Sequence, residues 1–392
     1  MNAFEPLLSD FLGFQNDLSD REKQALAELR AYLESDVRPI VNDLWEKAEF
    51  PHSIIKPLAN LGLYSYGREF TPFHNSALFR GFVSLELARV DASVATFNGV
   101  HTGLAAGAIA ILGSEEQKQE WLPKMANGDV IGSFALTEPE HGSDVARGLM
   151  TTARRDGDNW IINGEKRWIG NATWGDIVVV WARDEADNHV KGFIVPTNTP
   201  GYHAEKIEGK YSLRIVQNAH ITLSDVVVPD SNHLAFANSF ADTNKVLAST
   251  RLDVAWACIG NSIGAYEKAV AYAQERLQFG KPIAQYQLVQ NLLVQSLKSI
   301  TSAIAMVARI AELNDRGIYD EAQSSMAKLF AAGEGRKVVA WSREILGGNG
   351  IIIDYDVIRH FNDAEAAYSY EGTEQVNTLI VGRAITGKQA FV

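Results

Sequence analysis

The sequence predicts an α+β protein in which helical segments lie on both sides of a β-rich middle part, and three observations support this class. Up to about residue 129, apolar residues recur at the three- and four-residue spacing of amphipathic helices. From Val130 the chain changes to short runs of β-branched and aromatic residues separated by Gly, Asp, Asn and Pro, which is typical of a small antiparallel barrel or sandwich. From Lys245 the helical spacing returns and continues almost to the C-terminus.

The first part, residues 1–129, is predicted to be an α-helical domain. Ser19 and Glu22 have the spacing of a capping box, in which the hydroxyl accepts a backbone N–H and the acid reaches back to the cap. Apolar residues from Leu26 to Ile40 then follow the helical period. Further helices are predicted over residues 53–61, 77–88 and 100–112, and from Ser114.

Two more domains are predicted, a middle β-barrel domain over residues 130–240 and a C-terminal α-helical domain over residues 241–392. Strands are predicted over residues 132–136, 159–163, 177–181, 192–196 and 220–228. Long helices are predicted over residues 255–277, 285–316, 321–346 and 371–386, and their apolar faces are wide enough for a bundle core. The sequence has no internal repeat and no flexible linker, so we expect the three parts to pack as one body.

Composition excludes several classes of function. A net charge of −12 argues against nucleic-acid binding, which depends on basic residues. The single cysteine, Cys258, allows no intrachain disulfide, and the nine histidines show no metal-ligand spacing, so no metal site is predicted. No apolar run of about 20 residues and no targeting segment is visible, so we expect a cytoplasmic protein that does not bind a membrane.

An acidic residue near the C-terminus, Glu371, stands in the string Tyr370-Glu371-Gly372-Thr373 at the predicted start of the last helix. Taken alone, this arrangement is ordinary helix capping. A glycine-rich turn, Leu346-Gly347-Gly348-Asn349-Gly350, precedes it by about twenty residues. Such a turn allows a backbone to approach a bound group closely, because no side chain intervenes.

The pattern from Leu346 to Phe391 resembles the acyl-CoA dehydrogenase family, and within it the branch of glutaryl-CoA dehydrogenases and short-chain acyl-CoA oxidases. Members of this family are flavin enzymes that oxidise acyl-CoA thioesters. The resemblance implies the fold of that family, FAD as cofactor, acyl-CoA as substrate and an electron-transfer flavoprotein as partner. It also implies a homotetramer, a dimer of dimers. In the family the acid of the Tyr-Glu-Gly-Thr string is the catalytic base, which implies that role for Glu371.

Two strings of the middle domain resemble the flavin-binding segments of the family. The first is Thr137-Glu138-Pro139-Glu140-His141-Gly142-Ser143-Asp144, which is otherwise readable as a capped turn, and the second is Arg167-Trp168-Ile169-Gly170-Asn171. Polar turns of this kind can hold a flavin edge or a pyrophosphate. The flavin contacts implied by the resemblance are Phe134, Leu136, Thr137, Gly142, Ser143, Trp168, Gly170, Asn171, Arg276, Gln278, Phe279, Gln287, Glu344, Gly347, Gly348, Thr373 and Gln375.

The string Arg276-Leu277-Gln278-Phe279-Gly280-Lys281-Pro282 has two readings. Gly and Pro after a basic last turn indicate a helix stop. The Arg-x-x-Phe-Gly string also resembles the segment that, in the family, reaches the flavin of a neighbouring subunit. A guanidinium fits a pyrophosphate by charge and by bidentate geometry. In Glu344 the chain differs from many members, which have Gln there.

Gly170 departs from the common dehydrogenase pattern Trp-Ile-Thr-Asn. The threonine of that pattern donates a hydrogen bond near the reactive flavin nitrogen, and acyl-CoA oxidases have glycine instead. The departure makes a short-chain acyl-CoA oxidase, which uses O2 and releases H2O2, the main alternative to a dehydrogenase.

The resemblance implies four residues that contact the substrate: Ser143, Arg251, Tyr370 and Gly372. In some members the base precedes Arg251, but here that residue is Thr250, which is not a base. Glutaryl-specific members have an Arg-Ser pair for the distal carboxylate, where this chain has Ala95 and Thr96. We therefore expect a short or medium uncharged acyl chain.

The chemistry of α,β-dehydrogenation requires a base at the α-carbon and a hydride acceptor at the β-carbon. An apolar, water-poor pocket raises the pKa of a carboxylate toward the range useful for a general base. Three alternatives to the dehydrogenase stay open at the level of sequence: the oxidase, a flavin monooxygenase, which would lack this base, and a non-enzymatic helical scaffold. No Gly-x-Gly-x-x-Gly follows a strand, which disfavours a Rossmann-type site.

Overall fold

The computed structural model describes residues 4–65, 76–318 and 320–389. Within these ranges the chain forms an N-terminal group of helices, a curled sheet and a C-terminal group of helices. The predicted order of helical and β parts is confirmed. The domain boundaries themselves stay a prediction.

The N-terminal helices are α1 (Asp20–Tyr32), α2 (Arg38–Lys47), α3 (Ile55–Asn60), α4 (Ala77–Val90), α5 (Ala92–Asn98), α6 (Gly107–Leu112) and α7 (Glu115–Ala126). Two π-helical segments, Leu33–Val37 and Gly99–Ala106, join α1 to α2 and α5 to α6. The predicted capping box is confirmed at the start of α1, where the Glu22 N–H donates to the Ser19 hydroxyl at 3.3 Å and the Ser19 N–H donates to the Glu22 carboxylate at 2.9 Å.

The middle part is a sheet that curls into half a barrel. Its strands are β1 (Gly132–Ala135), β2 (Thr152–Asp156), β3 (Asn159–Gly170), β4 (Ile177–Asp184), β5 (Val190–Pro196), β6 (Tyr202–Lys206) and β7 (Asn218–Pro229), with the four-residue helix α8 (Val145–Gly148) between β1 and β2. The strand order is β1-β4-β2-β3-β7-β6, and β5 pairs with β4. The expected pairing was wholly antiparallel, but β1 and β2 each run parallel to β4. The sheet is therefore mixed.

The C-terminal part is built around the long helix α9 (Phe240–Glu275). A small hairpin of β8 (Leu277–Gln278) and β9 (Lys281–Pro282) follows it, and then come α10 (Gln287–Asp315), α11 (Glu321–Ile345), α12 (Val357–Ser369) and α13 (Glu374–Thr386). Trp256 of α9 is fully buried against Phe82 of α4, with ring centroids 4.9 Å apart. The two helices also approach closely at Gly260, where an added Cβ would lie 2.1 Å from the Leu85 carbonyl oxygen. The N-terminal and C-terminal helices consequently share one core.

Two helical stretches, Ala92–Leu112 and Gln287–Asp315, are long and apolar enough to cross a membrane by length and composition alone. Core helices of soluble proteins pass the same test, and 67% of the most apolar window in the first stretch is buried inside the protein. Polar residues interrupt both stretches, which is why counting uninterrupted apolar runs in the sequence did not find them. The expected absence of membrane binding stays a prediction.

Candidate active site

Glu371 lies in the turn between α12 and α13 and has a left-handed backbone with φ of 48°. Gly372 follows with φ of 85°, and Thr373 caps α13, its hydroxyl accepting the Val376 N–H at 3.2 Å. The last helix therefore begins at Glu374, three residues later than expected. A left-handed conformation costs a residue with a side chain roughly 1–3 kcal/mol, so contacts from the surrounding structure must hold Glu371 in place.

A buried lysine on α11 holds this turn. The Lys328 ammonium donates to the Tyr368 carbonyl at 3.0 Å and to the Gly372 carbonyl at 2.8 Å, which lie on either side of Glu371. The Asn377 side-chain amide donates to the same Gly372 carbonyl at 2.8 Å. Lys328 is fully buried. The turn is thus fixed from two neighbouring helices.

The Glu371 carboxylate is half-buried and accepts a hydrogen bond from the Thr250 hydroxyl of α9 at 3.1 Å. Burial, with a smaller contribution from Asp253, raises the pKa of Glu371 to about 7. Arg251, the Thr250 hydroxyl and Lys328 act in the opposite direction. Close to half of the molecules would then carry an ionised Glu371 at neutral pH. This is the range in which a carboxylate works well as a general base.

Arg251 contributes positive charge near Glu371, but its guanidinium donates to other groups. It is buried, and it donates to the Glu321 carboxylate at 3.0 Å and to the Ser325 hydroxyl at 3.1 Å, both on α11. In this arrangement Arg251 ties α9 to α11 beside the turn that contains Glu371. Its expected contact with substrate stays a prediction.

One helical stretch connects Glu371 to the sheet. The half-buried Tyr370 side chain lies close to the Thr96 side chain of α5. One turn further along, Val100 faces the sheet, where its Cγ2 would lie 3.4 Å from a Cβ added to Gly170. The segment that contains the acid and the Trp-Ile-Gly-Asn string therefore both contact the same short helical stretch, residues 96–100.

The two strings of the middle domain, residues 137–144 and 167–171, lie side by side and form a surface that we call the sheet wall. Hydrogen bonds hold the two strings together. The Arg167 N–H donates to the Thr137 carbonyl at 2.8 Å. The buried Lys166 ammonium donates to the Glu138 carboxylate at 2.8 Å and to the Leu136 carbonyl at 3.1 Å. Glu138 also accepts two backbone N–H groups, those of Met150 and Thr151, at 2.6 and 2.9 Å. These bonds set the loop after β1 against the end of β3.

The exposed side chains of this wall are those that would meet a bound group. Trp168 has φ of 67° and is 51% exposed, although its neighbour Ile169 is buried. Asn171 also has φ of 67° but is buried, and its amide points toward the Gly132 carbonyl at 3.4 Å. In the loop after β1, Ser143 is exposed and Gly142 has open space where a side chain would be.

Phe134 and Leu136 were expected to line the flavin ring, and that role stays a prediction. Both side chains are buried in the core beside the sheet. Phe134 packs against Trp181, with ring centroids 5.8 Å apart. The backbone carbonyl of Leu136 accepts the hydrogen bond from the Lys166 ammonium.

The expected cofactor contacts of the Arg276 string lie at the far end of α9. Arg276 directly follows the helix, and the next residues form the hairpin, with positive φ at Phe279 (49°) and Gly280 (82°). The reading of this string as a simple helix stop is thus incomplete. Two positive φ values at the tip are typical of a tight two-residue hairpin turn. Phe279 is 95% exposed, and Gln278 and Gln287 are exposed as well.

The glycine-rich turn lies near this hairpin. The Asn349 amide donates to the Tyr272 hydroxyl at 3.0 Å, and the Tyr272 carbonyl accepts the Arg276 N–H at 2.8 Å. Gly347 and Gly348 have open space where side chains would be, and Glu344 is exposed beside them.

The hairpin and Glu371 are far apart within one chain. Thr250, which contacts Glu371, precedes Arg276 by 26 residues on α9. At about 1.5 Å per residue this corresponds to roughly 39 Å along the helix. Gln375, on the exposed side of α13, belongs to the Glu371 end. The structure therefore brings together the residues of the sheet wall and of the Glu371 turn, but it does not bring the Arg276 segment to them.

The described residues fit a flavin on this geometry. A half-exposed tryptophan, hydroxyls at Thr137 and Ser143, and the open backbone at Gly142 form a wall for a flat ring. The wall lies across residues 96–100 from a carboxylate. The open glycine pair 347–348 and the exposed Arg276 form a separate surface with the chemistry of a pyrophosphate site.

The family follows from comparison with known proteins. The chain matches the models of the N-terminal, middle and C-terminal domains of acyl-CoA dehydrogenase over residues 19–129, 133–226 and 240–386. The chain belongs to the acyl-CoA dehydrogenase family, is an oxidoreductase and has FAD as its cofactor.

Individual relatives cover almost the whole chain. Over 371 residues the chain is 32% identical to the mitochondrial short-chain specific acyl-CoA dehydrogenase of Bos taurus, covering 93% of this chain and 90% of that protein. A structure of glutaryl-CoA dehydrogenase from Mycobacterium smegmatis matches with a TM-score of 0.93 and 36% identity, covering 98% of this chain and 99% of that one. A second glutaryl-CoA dehydrogenase structure from the same organism, in complex with FADH2, matches with a TM-score of 0.93 and 34% identity over 97% and 98% of the two chains.

A further similar chain comes from a structure titled as the electron transferring flavoprotein of Acidaminococcus fermentans. It matches with a TM-score of 0.90 and 29% identity, and the match covers 95% of this chain and 99% of that one.

The structure adds three residues that the sequence reasoning did not select. Lys328 and Lys166 are buried lysines whose ammonium groups bind the carbonyls of the site loops. Thr250 was considered only as a possible base, but its hydroxyl contacts the base. The only signal for Lys328 in the sequence is a lysine between apolar positions of a helix, in Ala327-Lys328-Leu329, and this pattern does not distinguish a buried lysine from an exposed one.

Proposed function

We propose that the protein catalyses FAD-dependent α,β-dehydrogenation of a short- or medium-chain acyl-CoA thioester, with Glu371 as the base that removes the α-proton. The observation that carries the proposal is the position of Glu371. Its carboxylate has a pKa near 7, lies in a turn fixed by Lys328, and is linked through residues 96–100 to the sheet wall with Trp168.

In this proposal the residues of the chain do four things. Glu371 takes the proton from the α-carbon, and Thr250 orients its carboxylate. The backbone N–H groups of the turn are donors for the thioester oxygen, which makes the α-proton more acidic. Trp168 and the loop with Ser143 form the wall for the isoalloxazine. Bound FAD would supply the hydride acceptor for the β-carbon.

The acyl group that we propose is uncharged. The side chains at the position of the glutaryl-specific pair are Ala95, which is buried, and Thr96, whose hydroxyl donates to the Ala92 carbonyl at 2.8 Å. Neither side chain is a cation that would bind a second carboxylate. We expect straight-chain substrates such as butyryl-CoA to react faster than glutaryl-CoA.

We further propose a homotetramer, a dimer of dimers, in which the Arg276 segment of one subunit completes the flavin site of another. The distance of roughly 39 Å along α9 supports this, because one chain does not bring Arg276 to the flavin wall near Glu371. The hairpin also exposes large apolar side chains, Leu277 at 60% and Phe279 at 95%, and Leu288 at the start of α10 is 82% exposed. Exposed apolar groups of this size are typical of protein interfaces.

The reduced flavin must pass its electrons to an acceptor. We propose an electron-transfer flavoprotein, supported by the family and by the similar chain in the flavoprotein structure. The alternative is oxygen, and one observation favours it. Gly170 has an ordinary backbone, and an added Cβ would meet its nearest neighbour, Val100, at 3.4 Å. Because neither strain nor space demands glycine there, the missing hydroxyl is a feature in common with the oxidases.

The experiment is an anaerobic titration of the purified protein with butyryl-CoA, followed by visible absorbance and then by admission of air. The proposal predicts a yellow protein whose flavin absorbance bleaches and returns only slowly in air. Fast recovery with stoichiometric H2O2 would establish the oxidase instead. A protein that stays colourless after incubation with FAD would contradict both and would favour a scaffold.

A further inference from the structure

A second charged group besides Glu371, Lys328 of α11, contacts the turn that contains the acid. We propose that Lys328 is a positioning residue for the base, holding the Glu371 turn in its left-handed conformation and keeping a positive charge beside the Glu371 carboxylate. The inference rests on the proposed function, and it concerns how the chain makes an ionised base available near neutral pH.

The geometry of Lys328 is unusual for a lysine. Its side chain is fully buried, and its ammonium donates to two backbone carbonyls, those of Tyr368 and Gly372. None of its hydrogen bonds described above goes to a carboxylate. Charged lysines are rarely buried in this way unless they are paired, because removing the ammonium from water is costly. Burial accordingly lowers the pKa of Lys328.

The two carbonyls that accept from Lys328 explain how the lysine holds the backbone of the turn. They belong to the residues three before and one after Glu371, so a single ammonium spans the turn. Glu371 and Gly372 both have positive φ, and a turn with a non-glycine residue in that region persists only where the surroundings fix it. Without the ammonium, two carbonyls beside the base would lose their donor.

The charged groups around Glu371 and Lys328 explain how the lysine favours the ionised form of the acid. Glu371 faces Thr250, Arg251 and Asp253 on α9 and Lys328 on α11. Of the two cations, Arg251 lowers the pKa of Glu371 more than Lys328 does, but Arg251 is also paired with the Glu321 carboxylate at 3.0 Å. Among the described residues, the hydrogen bonds of the Lys328 ammonium go to neutral carbonyls. Its charge is therefore less compensated by a neighbouring anion.

Lys328 itself faces several other groups. Cys258 and Arg251 lie on α9, Glu371 lies in the turn and Glu374 lies at the start of α13. Cys258 is buried, and burial raises the pKa of its thiol to about 11, so it is uncharged near pH 7. Glu371, with a pKa of about 7, changes its charge within the window from pH 6 to pH 8.

The test substitutes Lys328 by Met, which has a similar length and no charge. The control is Lys337→Met, which removes an exposed lysine from the same helix and its bond to Glu334. The rate of anaerobic flavin bleaching with butyryl-CoA is measured from pH 6 to 9. For Lys328→Met we expect the acidic limb of the profile to move up by about one pH unit, because an opposite charge no longer favours the ionised base. At pH 7 the ionised fraction then falls from about one half to about one tenth.

A purely structural lysine would give a different result. It would lower the rate by the same factor at every pH and leave the limb where it is in the parent protein. Lys328→Arg retains the charge, so its limb should stay within about 0.3 unit of the parent, whereas Lys328→Gln should move like Lys328→Met. If Lys328→Met does not fold, the Arg and Gln variants provide the same comparison.

Thermal unfolding at pH 6 and pH 8 gives a readout independent of activity. The pKa of Glu371 in the folded protein is higher than in the unfolded chain, so folding binds a proton in this window and stability falls as pH rises. Removing the positive charge of Lys328 raises the pKa of Glu371 further, so the fall in stability continues to a higher pH. The loss in melting temperature caused by Lys328→Met should be larger at pH 8 than at pH 6, and this difference should vanish in a Glu371→Gln background.

The outcomes distinguish this inference from the proposed function. If the parent protein does not bleach with any acyl-CoA, the proposed function is contradicted, and the inference with it. If the parent bleaches but Lys328→Met leaves both the limb and the pH dependence of unfolding unchanged, only the inference is overturned. A moved limb, with Lys337→Met unchanged, supports it.

Discussion

The ion pair between Lys166 and Glu138 gives the sharpest test of how the flavin wall is built. Lys166 is fully buried and Glu138 is 4% exposed, and together they join the loop after β1 to the end of β3. Replacing Lys166 by Met leaves the Glu138 carboxylate buried without its cation. Breaking such a pair typically costs about 3–5 kcal/mol.

The expected loss is at the lower end of that range. Glu138 retains its two bonds from the Met150 and Thr151 N–H groups. Methionine also removes the cost of burying the lysine, whose pKa burial lowers to about 8. We therefore expect the free energy of unfolding to fall by about 3 kcal/mol. FAD should bind at least about tenfold more weakly, because the loop with Thr137 and Ser143 is no longer fixed to β3.

The assay has two parts, denaturant unfolding of the protein and titration of the flavin-free protein with FAD, followed by flavin fluorescence. Lys191→Met is the matched control, because Lys191 bonds Asp184 and Asp187 in the same sheet, away from the flavin strings. That variant should lose stability and bind FAD like the parent. If Lys166→Met is destabilised but retains the FAD affinity of the parent, the ion pair does not hold the flavin wall and this reasoning is wrong.

Three further predictions test the site. Thr250→Val removes a hydrogen bond to the ionised form of Glu371, so the acidic limb of the bleaching profile should move up by about one pH unit and the rate at pH 7 should fall about fivefold, while Thr250→Ser should behave like the parent. Gly170→Thr should fold normally, because the space beside Val100 accepts a Cβ. The reduced flavin of this variant should be reoxidised by air more slowly than that of the parent. Equal reoxidation rates would show that Gly170 does not determine the reactivity of the flavin with oxygen. Arg276→Met should weaken FAD binding about tenfold or more and leave bleaching of the FAD-saturated protein within about twofold of the parent, because a pyrophosphate contact is remote from the base; a tenfold slower bleaching step would contradict that role.

Apolar periodicity predicted the helices that bury apolar faces, and their ends were correct to within a few residues at α10 and α11. The helix α12 was not predicted, for a physical reason. Its buried face includes Arg359, His360 and Asp363, each fully buried. These residues interrupt its buried apolar positions, Val357, Ala364 and Ala367, so the apolar pattern of the helix is incomplete. Arg359 donates to Asp91 of the N-terminal part at 2.7 Å, a contact between residues 268 positions apart. Sequence spacing does not reveal such a partner.

The strands also divide into those that the sequence pattern predicts and those that it does not. Runs of β-branched residues located β4 and β5, whereas β2 and β6 were missed because at least half of their side chains are polar or exposed. Parallel pairing of β1 and β2 with β4 depends on how the chain returns to the sheet, which composition does not show.

Within the candidate site, the sequence identified the groups with obvious chemistry but not those that hold them. Glu371 and the strings containing Trp168 and Arg276 were recognisable by resemblance. The buried lysines were not. Lys328 binds backbone carbonyls, which leave no partner residue in the sequence, and the partner of Lys166, Glu138, lies 28 positions away in another segment. Nor could the distance between Arg276 and Glu371 be read before α9 was known to be one continuous helix.

The most direct measurement is flavin bleaching in the variant Glu371→Gln, beside the control Glu374→Gln three residues further along the chain. Glutamine retains the shape of the side chain but cannot take a proton from the substrate. We predict that Glu371→Gln is yellow, still binds butyryl-CoA and bleaches at least about a thousandfold more slowly, a loss of about 4 kcal/mol in transition-state stabilisation. Glu374→Gln should bleach like the parent. Bleaching of Glu371→Gln at the parental rate would contradict the assignment of the base and the account built on it.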